Sequence, residues 1–347
     1  MYAAVINKYN SIKWQEVPTP EPGKTEVLVK VTYASICGTD QHIFSGEFHP
    51  RTKLPMIPGH EFTGVVEKVG QEVEDFIVGD RVVADPIIWC GECDACKKEH
   101  YPACSSLKLV GIDLDGGFAE FISLQEKILY KVPENVPDDH AALVELLSIG
   151  FHACNRAKVK DNDTIVIWGG GKVGHAILQA ARTVTENKII FIDILGNRLA
   201  KAVQTYPGIY TINAKSADPV NVIREITGGK GVDIAFEAVG HARLESTMIH
   251  PVRGCIQAIR GGGTVCVLGL ADEPAPLVMK ELIWKEATIT TSRVSHGEYS
   301  KTLEQLSKGN LKPEAMITSI IHPRDTQKTF ELLQNRPEEY LKILLKF

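Results

Sequence analysis

Four cysteines within fifteen residues, Cys90, Cys93, Cys96 and Cys104 in CGECDACKKEHYPAC, restrict the folds open to this chain more than any other feature. Their intervals of two, two and seven residues place four thiolates on one short loop. At that spacing they converge on one tetrahedral ion at about 2.3 Å, and four sulfurs leave no coordination position open. The spacing therefore predicts a structural zinc lobe, about residues 89–105, that holds a loop and binds no substrate. Two disulfides or four unrelated thiols are the alternatives. MYAAVINKYN has no long apolar core and runs directly into a strand pattern, so no signal peptide is expected. Eight cysteines without a secretory signal fit a reducing, cytoplasmic setting in which thiols hold metals.

Chemistry must then lie elsewhere, and the residues suited to it are upstream. Cys37 stands in ICGTDQH after the apolar run VLVKVTYASI; His60 and Glu61 stand in PMIPGHEFTGVVEKVG. Sulfur, nitrogen and carboxylate form a mixed ligand set, typical of a zinc that keeps one position for water or substrate. Taken alone, a buried cysteine or a lone histidine is more often core filler. Cys154, Cys255 and Cys266, in apolar and regular-looking segments, are read as core.

A second kind of motif follows. Gly169, Gly171 and Gly174 in TIVIWGGGKVGHAILQA come after a strand-like run and open a helix-like one. Another strand, KIIFID, ends at Asp193, nineteen residues past Gly174. That is the dinucleotide arrangement, in which glycines let the backbone approach the pyrophosphate at a helix N-terminus. An acidic residue there accepts the ribose hydroxyls and repels a 2′-phosphate, which favours NAD over NADP. Lys172 and Val173 inside the motif, Arg198, and Gly269 and Leu270 at the end of GTVCVLGL complete the candidate cofactor-binding residues. A plain strand-to-helix turn is the alternative.

With 347 residues, 44% hydrophobic and 23% charged, the chain has the composition of a globular protein with two domains of ordinary size. Its net charge of −5 and the lack of a basic stripe argue against nucleic acid as partner. No apolar stretch is long enough to span a bilayer, so no membrane partner is expected. Up to residue 148, short β-like runs broken by Pro and Gly predict a barrel-like β lobe. From 149 to 293, TIVIWG, KIIFID, IYTIN, VDIAFEAVG, GTVCVLGL and ATITTS alternate with helix-like segments. Six strands in that order predict an α/β, doubly wound parallel sheet that binds a dinucleotide. The tail, 294–347, ends in KILLKF, a candidate last strand.

In this order, CGTDQH, GHEFTG, the cysteine lobe, DGGFAEFI, ALVELLSIGFHAC, the glycine motif and GGGTVCVLGL resemble the zinc-dependent medium-chain dehydrogenases over nearly the whole chain. That family includes alcohol, sorbitol and threonine dehydrogenases. The resemblance implies a GroES-like β-barrel catalytic domain, residues 1–148, completed by 294–347, around a Rossmann domain at 149–293. It also implies two zinc ions per chain, one catalytic and one structural, with NAD as cofactor and a homotetramer or homodimer as assembly. Cys37, His60 and Glu61 become the catalytic zinc site. Glu145 matches a carboxylate that binds that metal or its water, and Thr39 and His42 match a proton relay. The implied reaction takes a hydride from a secondary alcohol to NAD and leaves a ketone.

The ELLSIG and HAC segments are closest to the sorbitol and polyol branch, and Arg293 matches an arginine placed on substrate hydroxyls. Two departures bear on substrate. Leu146 replaces the usual proline after the carboxylate, and Val294 stands where sorbitol enzymes have a tyrosine. A polyol, sugar or sugar acid is the expected small-molecule substrate, the acid because Arg293 offers a carboxylate a bidentate contact. L-threonine or another secondary alcohol or diol is one alternative. A non-catalytic NAD-binding relative is another, and a zinc-free quinone or enone reductase a third.

Overall fold

The computed structural model describes residues 1–240 and 248–347. Two compact units account for them: Leu146–Ser295, and Met1–Glu145 together with His296–Phe347.

In the unit Leu146–Ser295, six strands form one all-parallel sheet. Their spatial order is Tyr210–Asn213, Ile189–Asp193, Ile165–Trp168, Val232–Glu237, Ile259–Val267 and Thr288–Thr291. Numbered along the chain this is 3-2-1-4-5-6, the doubly wound order. Ile165–Trp168 and Ile189–Asp193 are buried at every residue, as strands covered by helices on both faces must be. Each fully buried Ile or Val contributes about 1.5–3 kcal/mol, so IVIW and IIFI hold the sheet centre. Strand one pairs on both sides, Trp168 opposite Ile192 and Glu237. The order reverses there, which leaves a crevice beyond the carboxyl ends of these strands.

Helix Lys172–Arg182 leaves strand one through the glycine motif. Gly169 has φ +106°, a conformation that side-chain-bearing residues rarely adopt. A Cβ on Gly174 would stand 1.8 Å from the Gly169 carbonyl oxygen, so the helix can pack this closely only with glycine there. Ala176, Ile177, Ala180 and Ala181 form the buried face of that helix.

The other unit is built on a mainly antiparallel seven-stranded sheet. Its longest strand, Glu26–Ser35, pairs with Glu61–Val69, Phe121–Gln125 and Lys342–Lys346. Ser35 therefore faces Glu61 on one side and Leu344 on the other. KILLKF forms this last strand, so the C-terminal segment supplies an interior element of the sheet. The sequence places the changes of texture after 148 and after 293; the compact units divide after Glu145 and after Ser295. Among the described residues no helix is long and apolar enough to cross a membrane.

Candidate active site

The cysteine lobe is assembled locally. Helix Asp94–Lys97 starts at Cys93 and buries Cys96, and a turn at Tyr101–Ala103 returns the chain to Cys104. The four sulfurs lie within 4.8 Å of one another. Cys90 Sγ is 3.9 Å from Cys96 Sγ and 3.5 Å from Cys104 Sγ. A tetrahedron with metal–sulfur bonds of about 2.3 Å has edges of about 3.8 Å, so the group fits a zinc ion. None of the four is joined in a disulfide. The backbone N–H groups of Cys90 and Cys93 donate to Cys104 Sγ and Cys90 Sγ, each at 3.4 Å, as suits thiolate acceptors.

A second group joins Cys37, His60 and Glu61, again with ligand atoms within 4.8 Å. Cys37 is the N-cap of helix Gly38–Ser45. Its amide donates to Asp40 Oδ2 at 2.7 Å, the reciprocal half of a capping box, and Gly46 ends the helix in the left-handed region. Glu61 begins strand Glu61–Val69, and His60 immediately precedes it. Asp40 is fully buried, and its Oδ1 lies 3.6 Å from His60 Nδ1. At that distance the two atoms make no hydrogen bond, so the carboxylate acts on the ring through its charge, and His60 Nδ1 stays without a hydrogen-bond partner. Burial opposes charge on His60, but the neighbouring Cys37 and Asp40 outweigh it and raise the pKa well above 6.5.

Glu61 is held from behind. Lys342 Nζ donates to both of its carboxylate oxygens at 2.5 Å, with both side chains buried. Burial alone would raise the Glu61 pKa, yet Lys342 and His60 lower it, so the carboxylate stays ionised. Glu145, in the first turn of helix Val144–Ala157, lies outside this three-residue group but feels the charges of His60 and Glu61. Burial pushes its carboxyl up to about 7, and its Oε2 has no hydrogen-bond partner. A buried orphan oxygen of this kind is what a metal or its water would satisfy.

Thr39 Oγ1 lies 3.9 Å from Cys37 Sγ. His42, one turn further along the helix, is exposed, and its Nδ1 meets Glu47 Oε2 at 2.5 Å. Asp40, Lys342 and Glu47 escaped the sequence reading. The spacing from Cys37 to Asp40 is a capping-box signal that pointed to the first. A lysine at the head of the apolar run KILLK pointed weakly to the second.

In the other unit, a cleft of about 900 Å³ opens at the carboxyl ends of the parallel strands. Gly169, Gly171, Asp193 and Arg198 line it, with Lys215 and Ser216 on the loop after strand three. Asp193 Oδ2 accepts from the Gly170 amide at 2.6 Å, and Oδ1 from the Leu195 amide at 2.8 Å. Arg198 Nη1 lies 3.5 Å from Asp193 Oδ2. Lys172 and Val173 form the first turn of helix Lys172–Arg182. Gly269 lies two residues beyond strand five, its amide donating to the Glu237 carbonyl at 3.1 Å. Leu270 beside it is 80% exposed. Arg293 is exposed two residues beyond the last strand, next to Val294 at φ +46°.

Residues 23–134 match the alcohol dehydrogenase GroES-like domain, and residues 173–308 match the zinc-binding dehydrogenase model. The starvation-sensing protein RspB of Escherichia coli K12 is 32% identical, with 100% of this chain and 99% of that protein covered. Sorbitol dehydrogenase of Bacillus subtilis is 31% identical over 99% of this chain and 97% of that enzyme. The alcohol dehydrogenase rspB of E. coli CFT073, solved with the cofactor NADH, superposes with a TM-score of 0.91 at 29% identity, covering 100% and 99% of the two chains. Two metal-ligand groups in one unit, a dinucleotide cleft in the other and relatives matched end to end give one conclusion: this chain belongs to the zinc-type medium-chain dehydrogenase family.

Proposed function

We propose that this dehydrogenase oxidises the secondary alcohol of a small polyol, sugar or sugar acid to a ketone, with NAD taking the hydride. The observation that carries the reading is the convergence of Cys37, His60 and Glu61, with the Asp40 carboxylate near His60 and Lys342 hydrogen-bonded to Glu61. Zinc held there would supply Lewis acidity, which makes a hydroxyl group easier to deprotonate. The chain's own residues do the rest. Asp40 sets its negative charge beside the His60 ring, and Lys342 offsets the charge of Glu61. Thr39 accepts the substrate proton, and His42, supported by Glu47, releases it to solvent. Asp193 and Arg198 receive the adenosine ribose. Arg293 reads hydroxyls or a carboxylate on the substrate, and the lost tyrosine at Val294 favours a sugar acid over sorbitol itself.

The structural zinc site at Cys90, Cys93, Cys96 and Cys104, and the division of the chain into a catalytic and a nucleotide unit, belong to the same reading. So does a homodimer or homotetramer in the cytoplasm. Exposed Met279, Ile283 and Trp284 beside the edge strand Thr288–Thr291 support self-association, and the net charge of −5 speaks against nucleic acid. Zinc-loaded protein, assayed by NADH absorbance against polyols and aldonic acids, tests the function. Turnover of a polyol or aldonic acid, faster with NAD than with NADP, is expected. Binding of NADH with no oxidation across the panel would favour a sensing protein instead, in line with the name of the starvation-sensing relative RspB.

A further inference from the structure

Glu237 ends strand four and is 2% exposed. Its Oε1 accepts the amides of Val239 at 2.8 Å and of Gly240 at 3.2 Å, so the carboxylate folds the loop after that strand back onto itself. Its main-chain carbonyl accepts from Leu268 at 2.9 Å and from Gly269 at 3.1 Å, which draws in the loop after strand five. One residue thus gathers two loops, the first by its side chain and the second by its backbone. They meet closely: a Cβ on Gly269 would stand 2.2 Å from the Gly240 nitrogen and 2.5 Å from Glu237 Oε2. The Ala238 amide donates to the Trp168 carbonyl at 2.8 Å, which ties the first loop to the end of strand one, where the glycine motif begins.

These loops lie across the reversal of the sheet from Asp193, which gathers the Gly170 and Leu195 amides on the strand-two side. With the adenosine ribose at Asp193, the pyrophosphate falls at the first turn of helix Lys172–Arg182. The rest of a dinucleotide must then cross to strands four to six, since the fold holds one mononucleotide on each half of its sheet. Ala238 and Val239 line the cleft on that side. Val239 and, on the second loop, Leu270 are exposed apolar side chains that a flat ring would cover. Loops bind well when they are in place before the ligand arrives, because ordering them on binding costs affinity. Glu237 is the group that places both.

We propose that Glu237 is a positioning residue for the nicotinamide riboside half of the cofactor: its carboxylate presets the loop 238–240 against Gly269 and Leu270, so that the ring and its ribose meet loops already in place. The proposal rests on the dinucleotide reading of the cleft. Calorimetric titration of the zinc-loaded protein with NADH and with ADP, which lacks the nicotinamide riboside, tests it without turnover. ADP keeps its wild-type affinity in every variant. Glu237→Met and Glu237→Leu remove the acceptor of two amides and weaken NADH about ten-fold, the value of one or two neutral hydrogen bonds. Glu237→Gln presents a carbonyl oxygen to the same amides and brings NADH back to within about two-fold of wild type. Equal weakening of both ligands, unchanged NADH affinity in the apolar variants, no recovery in Glu237→Gln, or failure of both apolar variants to fold overturns the proposal and leaves Glu237 a scaffold residue. Wild-type protein that binds neither NADH nor ADP overturns the dinucleotide reading itself.

Discussion

Lys342 places its ammonium within 2.5 Å of both carboxylate oxygens of Glu61, and neither side chain reaches solvent. The strand Lys342–Lys346 delivers the cation and the start of Glu61–Val69 delivers the anion, both paired to Glu26–Ser35. Removing one partner leaves a buried charge without compensation, which costs about 3–5 kcal/mol. Lys342→Met should therefore lower the urea midpoint sharply, and Glu61→Gln in the same background should recover part of the loss. A midpoint unchanged in Lys342→Met would show that water reaches the carboxylate.

The two metal groups should separate by mutation. Cys96→Ser removes a buried ligand from the lobe, and structural zinc contributes folding free energy directly. That variant is expected to bind one zinc fewer and to melt at lower temperature. Cys37→Ser should also lose one zinc, keep its melting temperature and NADH binding, and oxidise nothing. Metal analysis showing one zinc per chain in fully active wild-type protein would refute the two-site assignment.

His175 gives acid sensitivity a definite sign. Burial on helix Lys172–Arg182 lowers its folded pKa to about 4, below the ordinary value of 6.5, so the unfolded chain binds the extra proton first. The stability tied to neutral His175 is fully present above pH 6.5 and is lost as pH falls toward 4, in total on the order of 3 kcal/mol. Urea unfolding at steps across that window should show a steeper loss for wild type than for His175→Leu. Parallel curves would mean the ring is solvated.

Arg293→Ala is expected to cost roughly 1.5–3 kcal/mol in kcat/KM toward a multi-hydroxyl or carboxylate substrate, the range for a hydrogen bond to a charged group. A small secondary alcohol should be oxidised almost as before, and NADH affinity should hold. Equal losses on both substrates, or a collapse of cofactor binding, would place Arg293 in the scaffold or the nucleotide site.

What could be read from the sequence was whatever lies close along the chain. The lobe's ligands fall within one loop, and the glycine motif is a single strand-to-helix turn. The inner strands IVIW and IIFID, buried at every residue, carry their own apolar runs. Cys37, His60 and Glu61 lie at two places in the sequence and still converge, because their strands are neighbours in the sheet. Lys342 could not be seen as a partner for Glu61, since strand pairing alone joins positions 281 residues apart. Asp40 was within reach, three residues past Cys37 in the spacing of a capping box.

The late position of Lys342 also orders events during synthesis. Glu61 and the strand that carries it leave the ribosome long before the residue that neutralises them. Until KILLKF pairs with Glu26–Ser35, the sheet has an open edge and the carboxylate stays in water. Such long-range pairing forms slowly, and unpaired edges invite association with other chains. The cation that completes the metal-ligand group is thus also the last part of it to be made. A nascent chain stalled before residue 342 would carry Cys37, His60 and Glu61 without the ammonium that lets Glu61 be buried as an anion.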